Sequence, residues 1–264
     1  MKSPRMLRGV ALLLPVLLVA SAGCDIAIAD QREKATQEWR KTYELQPGGR
    51  VEIANVNGRI DVVPGQGNTV EIVATKSARG ATDEAAKQNL ERIEIRESTA
   101  GGVIKVETHV QRSGIFNNGG AGVEYAVRVP AGAELKVSTV NGGVEVTGIS
   151  GRVIAETTNG GIKARDIGGT IEASTTNGGV EVDPATVSEG GVKLECTTGG
   201  IRLRLPSDAK ATIAARVTNG GIDTGGLNVR ATESSRRRLE GDLNGGGPRL
   251  VLEGTNGGIN ISAR

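Results

Sequence analysis

His109 is the only histidine in the chain, so any Ser-His-Asp or Cys-His arrangement has a single available base. It sits in Thr108-His109-Val110, a strand-like setting that fits an exposed or packed side chain better than a catalytic one. Cys196 shares an inward column with Thr175 and Val217, which reads as a buried, inert thiol and not a nucleophile. Asp61, Asp166 and Asp223 lie far apart in sequence, whereas sugar-cleaving sites gather carboxylates on one face beside aromatic platforms. Aromatic residues make up only 2% of this chain, so polysaccharide chemistry is disfavoured. No catalytic residue is assigned.

Metal and phosphate chemistry fare no better. A calcium-binding β-roll needs Gly-Gly-x-Gly-x-Asp, with several oxygens converging on the ion. Here Glu145, Lys163 and Glu181 replace the inner glycine, Thr147 and Arg165 replace the aspartate, and Asp183 alone fits. The glycine-rich turns lack the Gly-Lys-Ser/Thr that a phosphate cradle requires. Neither a metal nor a cofactor is expected. Arg236, Arg237 and Arg238, with Arg230 nearby, form the one dense basic patch. It is either a solvated loop or a contact for phospholipid headgroups or an anionic envelope polymer. The 32 Lys+Arg against 30 Asp+Glu leave a formal +2, too balanced to predict a nucleic-acid partner.

The N-terminus has the layout of an export signal. Lys2, Arg5 and Arg8 precede an apolar run from Val10 to Ala20, and Ser21, Ala22 and Gly23 lead to Cys24. That run is shorter than the roughly 20 residues a membrane-spanning helix needs, so residues 1–23 read as a cleaved signal peptide. Cys24 after Ser-Ala-Gly is similar to a lipoprotein cleavage site, at which the thiol is acylated and becomes the new N-terminus. Ser21 departs from that pattern, and cleavage after Ala22 would instead release a soluble exported protein. Lipidation of Cys24 predicts attachment to a membrane of the cell envelope, periplasmic or surface-facing. Residues 24–48 then read as a tether or short helix, closed by Gln46-Pro47-Gly48-Gly49.

What remains, residues 49–264, must bury small and β-branched side chains, since 40 glycines accompany so few aromatics. Its dominant feature is a repeat. Asn141, Asn159, Asn177, Asn219 and Asn256 each precede Gly-Gly, and Thr198 does the same. The steps are 18, 18, 21, 21 and 37 residues, the last close to two coils. Three positions after the markers stand Val144, Ile162, Val180, Ile201, Ile222 and Ile259; one further on stand Glu145, Lys163, Glu181, Arg202, Asp223 and Asn260. Six positions before them stand Leu135, Val153, Ile171, Val192, Ile213 and Leu250. This period-two alternation specifies strands with one buried face. Asn tolerates left-handed backbone and glycine adopts positive φ, so each marker is a sharp corner.

An earlier marker stands at Asn57-Gly58. Stacked markers would place Asn57, Asn141, Asn159, Asn177, Thr198, Asn219 and Asn256 in a turn ladder, with asparagine amides bonding one another. Residues 49–130 read as an irregular first part and 131–264 as regular coils, about seven of them. One short helix is expected near residues 81–92, and strands at Ile93 to Ile95, Val103 to Val110 and Val123 to Val129. Arg112 to Gly122 reads as a flexible loop, and Asn228 to Gly247 as an excursion interrupting one coil.

Val51-Glu52-Ile53-Ala54-Asn55-Val56-Asn57-Gly58-Arg59-Ile60, Val127-Arg128-Val129-Pro130, Leu135 to Val144 and the later Thr-Asn-Gly-Gly-Ile copies resemble the bacterial putative-adhesin β-solenoid family, a domain of unknown function. The resemblance covers residues 50 to 264. It implies an all-β fold, a single-stranded right-handed β-helix-like solenoid with about 18 to 21 residues per coil, on an exported or membrane-attached protein. It supplies no catalytic residues. The expected function is a non-enzymatic envelope lipoprotein whose solenoid surface serves adhesion, scaffolding or protein–protein interaction with an envelope protein or polymer. The alternatives are a surface polysaccharide enzyme using strand-face carboxylates, and an envelope-stress sensory module.

Overall fold

The computed structural model describes residues 33–111 and 120–264. Cys24, the leader before it and most of the Arg112 to Gly122 loop lie outside the described residues. In chain order the elements are β1 (Glu33–Glu44), β2 (Arg50–Ala54), β3 (Ile60–Pro64), β4 (Thr69–Gly80), α1 (Asp83–Glu91), β5 (Ile93–Ala100), β6 (Val103–Val110) and β7 (Gly122–Val129). Then come β8 (Glu134–Asn141), β9 (Val144–Thr147), β10 (Val153–Asn159), β11 (Ile162–Ile167), β12 (Ile171–Asn177), β13 (Val180–Pro184), β14 (Val192–Thr198) and β15 (Ile201–Leu205). The chain closes with β16 (Ala211–Asn219), β17 (Ile222–Asp223), β18 (Val229–Ser234), β19 (Arg238–Leu243), β20 (Arg249–Asn256) and β21 (Ile259–Ala263).

The fold is mostly β, with α1 the one helix among the described residues. Thr82 caps α1 by accepting a bond from the Ala85 N–H, and Asp83 and Glu84 favour its positive end. One sheet runs β1-β4-β7-β3-β9-β11-β13-β15-β21-β17, the other β18-β19-β16-β20-β14-β12-β10-β8-β2-β6-β5. From β8 to β15 the chain alternates between them, crossing at each Asn-Gly-Gly corner. Ladders in this stretch are parallel. Leu135 pairs with Val153, Val153 with Ile171 and Ile171 with Val192, while Val144, Ile162, Val180 and Ile201 pair likewise in the opposite sheet. All these side chains are buried. Each contributes on the order of 1.5–3 kcal/mol, so many thin aliphatic layers replace an aromatic core.

Three expectations are corrected. The sheets are mixed, not a single-stranded parallel array: β1, β4 and β7 pair antiparallel at one end, as do β16, β19 and β18 at the other. Residues 33–44, assigned to a tether or short helix, form β1, paired with β4 over its whole length. Finally, the stacking order departs from the chain order. β20 pairs with both β14 and β16, so Asn256 lies between Thr198 and Asn219, and the 37-residue step is an insertion. The excursion explains this: β18 and β19 form a hairpin that pairs on the far side of β16, and the chain then returns into the gap beside β14. After residue 131 six strand pairs cross between the sheets, and the β18–β19 hairpin is inserted among them. The opposite end is interleaved too, because β2 lies between β6 and β8 and β3 between β7 and β9, which brings Asn57 beside Asn141.

Candidate interaction surface

The corners position everything on the surface, so the site begins with them. Backbone bonds link each corner to the next: Gly142 N–H to the Asn159 carbonyl at 2.9 Å, Gly160 to Asn177 at 2.8 Å, Gly178 to Thr198 at 2.9 Å and Gly199 to Asn256 at 2.9 Å. Side chains run alongside. The Asn141 amide donates to Asn57 Oδ1 at 2.8 Å, Asn159 to Asn141 at 2.8 Å, Asn177 to Asn159 at 2.9 Å, and Asn219 to Asn256 at 2.9 Å. Every amide donates toward the Asn57 end, so the dipoles align. Thr198 stands between Asn177 and Asn256 and splits the ladder into two runs.

Behind the asparagines lies a row of buried polar groups, the inward column of Thr175 and Cys196, whose bonds to the corner carbonyls the sequence reading did not assign. Thr157 Oγ1 donates to the Gly142 carbonyl at 2.9 Å, Thr175 to Gly160 at 2.9 Å, and Cys196 Sγ to Gly178 at 3.2 Å. In the same column of the Asn57 corner, Asn55 donates to the Gly58 and Val123 carbonyls at 3.1 and 2.7 Å. The signal was present: these residues stand two before each marker, a position that alternation assigns to the core. A buried polar residue there needs an inward-turned carbonyl, which the glycine corner supplies. Burial pushes the Cys196 thiol pKa up, away from the reactive range.

On the outer face of the first sheet, Asp61, Glu145, Lys163, Glu181, Arg202, Asn260 and Asp223 form one row across successive strands. Most of its carboxylates are tied to arginines, and Arg204 holds Glu181 and Asp183 together. Arg59 bridges Asp61 and Glu145, Arg165 meets Glu145 at 2.6 Å, Arg204 meets Glu181 at 3.1 Å, and Arg264 meets Asp183 at 3.4 Å. Asp166 lies 3.7 Å from Arg264, and Asp223 accepts from Asn260 Nδ2 at 3.2 Å. Six strand spacings, about 29 Å, separate Asp61 from Asp223. A shallow recess of about 550 Å³ runs along this row where the second glycine of each corner, such as Gly161, Gly179 and Gly200, carries no side chain. The result is a long, ruled wall of mixed charge.

The basic patch lies at one end. Arg236 and Arg237 occupy the exposed turn of the β18–β19 hairpin, while Arg238 is neutralised by Glu233 at 3.0 Å and Glu240 at 2.8 Å. The turn backbone also caps the last strands: the Arg237 carbonyl accepts from Val217 at 2.9 Å and that of Arg236 from Ile222 at 3.0 Å. His109 lies on β6 with its imidazole partly exposed, 3.9 Å from Glu107.

Three solved structures resemble the chain over 86% of its length. They are a putative cell adhesion protein from Clostridium sporogenes (10% identity, TM-score 0.45, all of that chain covered) and putative adhesins from Bacteroides fragilis (11%, 0.34, 97%) and Parabacteroides distasonis (12%, 0.23, 97%). No curated protein matches. The profile of the Toastrack DUF4097 family matches residues 30–262, nearly the whole described β structure, and the chain belongs to that family.

Proposed function

We propose that this chain is a non-catalytic, lipid-anchored envelope protein whose stacked coils form a solenoid that presents a flat wall for binding an envelope protein or polymer. The observation that carries this is the outer wall of the first sheet, where Asp61, Glu145, Glu181 and Asp183 are each matched by an arginine. A hydrolytic carboxylate pair needs two such groups close together and one proton held in reserve. A wall of neutralised, evenly spaced side chains suits docking instead. Arg236 and Arg237, exposed at the end of the stack, offer two cations to an anionic headgroup or polymer. Anchoring through Cys24 would hold the wall at the membrane.

Two measurements test the reading. In cells fed labelled fatty acid, the native chain is expected in the membrane fraction carrying label, and Cys24→Ser is expected unlabelled in the soluble fraction. A photo-crosslinker replacing Lys163 or Arg202 is expected to capture one discrete envelope component, while the same group at Lys136, on the opposite sheet, captures none. Release of new sugar ends from envelope polysaccharide by the purified chain would overturn the non-catalytic reading.

A further inference from the structure

Each sheet ends in an edge strand, and the four edges are not equally protected. β17 has two residues, and the Arg236 carbonyl satisfies the Ile222 N–H beside it. β18 is bulged between Ala231 and Glu233. β5 spans 8 residues. β1 spans 12, with no proline and no bulge. Such an edge is a template for a further strand unless something prevents it.

The hydrogen-bond phase of β1 fixes which groups are on offer. Leu45 N–H bonds to the Asn68 carbonyl at 2.8 Å, in the same register as the β1–β4 ladder. In an antiparallel ladder bonded residues recur at every second position, so the odd residues of β1 bond to β4. The N–H and C=O groups of Lys34, Thr36, Glu38, Arg40, Thr42 and Glu44 therefore point to the outer edge, where no strand pairs with β1 among the described residues. Their side chains are all exposed.

We propose that β1 pairs antiparallel with β1 of a second copy of this chain, about a two-fold axis at Trp39, joining the first sheets of two molecules into one. Opposed residues must share the same bonding phase, so a self-pairing ladder can centre only on a residue, never between two. Centring on Glu38, Arg40 or Lys41 sets that charge against itself, and centring on Gln37 opposes Lys34 to Arg40. Centring on Trp39 opposes Glu38 to Arg40 twice, Lys34 to Glu44 twice and Thr36 to Thr42 twice, with no like charges in contact. Trp39, half-buried on the inner side, meets its own copy at the axis. In the single chain Arg40 already bonds Glu38 at 3.1 Å and Glu71 at 3.0 Å, so exchanging one Glu38 for the other leaves the guanidinium fully engaged. The inference is independent of what the outer wall binds.

The test uses the full-length chain in detergent micelles at high micromolar concentration, with mass read by sedimentation. The native chain is expected to dimerise. Glu38→Arg and Arg40→Glu each replace two opposite-charge contacts by like ones and are expected to weaken dimerisation about tenfold or more. Mixing the two variants restores opposite charges at all four positions, so a heterodimer is expected to return to native affinity. That recovery cannot come from misfolded chains. Thr36→Pro removes an outward N–H without touching the β4 ladder and is expected to give a folded monomer. A monomeric native chain, or variants that dimerise as the native chain does, would overturn the proposal.

Discussion

At the scale of single residues, the two glycines of a corner are not equivalent. Gly160 has φ near +159° and Gly178 near +151°, and a methyl group on either would collide with the carbonyl of the corner beneath, Gly142 for the first and Gly160 for the second. On Gly161 the same group would meet only the Gly179 carbonyl at 3.4 Å. Gly160→Ala is therefore expected to cost about 3 kcal/mol or more, and Gly161→Ala less than about 1 kcal/mol, in urea unfolding. Tyr125 carries a different signature. Its hydroxyl lies 2.7 Å from Thr108 Oγ1 across the core, and burial pushes its pKa up to about 12. The unfolded phenol ionises near pH 10, so the unfolded state sheds the proton first and stability falls as pH rises from about 10 to about 12. Tyr125→Phe is expected to cost about 1–2 kcal/mol at pH 8, where Thr108 is left unpaired. At pH 11 that deficit should shrink by about 1.4 kcal/mol, as alkali destabilises the native chain alone.

At the scale of elements, the ladder break at Thr198 is a point of repair. Asn177 Oδ1 and Asn256 Nδ2 flank it in the same polarity, so Thr198→Asn is expected to complete the run and add about 0.5–1.5 kcal/mol to unfolding stability. Equal or lower stability would show that the amide bonds contribute nothing net. The elements also mark where sequence reasoning succeeded and where it stopped. The register of β8 to β15 was legible because columns of alternating residues, repeated at every marker, admit one alignment, and a one-residue slip would turn every Val and Ile to solvent. β1 was not legible. Ala35, Trp39 and Tyr43 recur every fourth position, a spacing that suits a helix as well as a strand, and only β4 opposite them decides. Alternation placed Thr175 in the inward column, but the carbonyls that Thr157 and Thr175 bond come from a neighbouring corner and are not visible locally. The exchange of Asn219 and Asn256 was hidden for another reason: both corners carry identical markers, and nothing local states which one stacks on Thr198.

At the scale of the whole molecule, that exchange governs how the chain holds together. β16 has no parallel neighbour except β20, and β14 meets β16 only through it. Removing residues 249–264 is expected to loosen everything after β15, so that trypsin cuts at Lys210 while residues 33–205 stay protected. Excising one interior coil, residues 159–176, joins Thr158 to Asn177 in unchanged phase and is expected to leave a folded, more weakly stable chain. Mass spectrometry of the tryptic fragments distinguishes the two outcomes. An intact C-terminal region in the first variant would show that β16 to β19 stand without β20.

Because β20–β21 is wedged between β14–β15 and β16–β17, the last strands of the chain do not sit at a free end of the stack. Gene duplication therefore has nowhere to add a layer after the last strand. An 18-residue copy inserted between Asn141 and Thr198 finds matching neighbours above and below; the same copy after Ala263 finds the slot already occupied. Relatives that differ in length should carry their extra layers in the middle, between two conserved bookends.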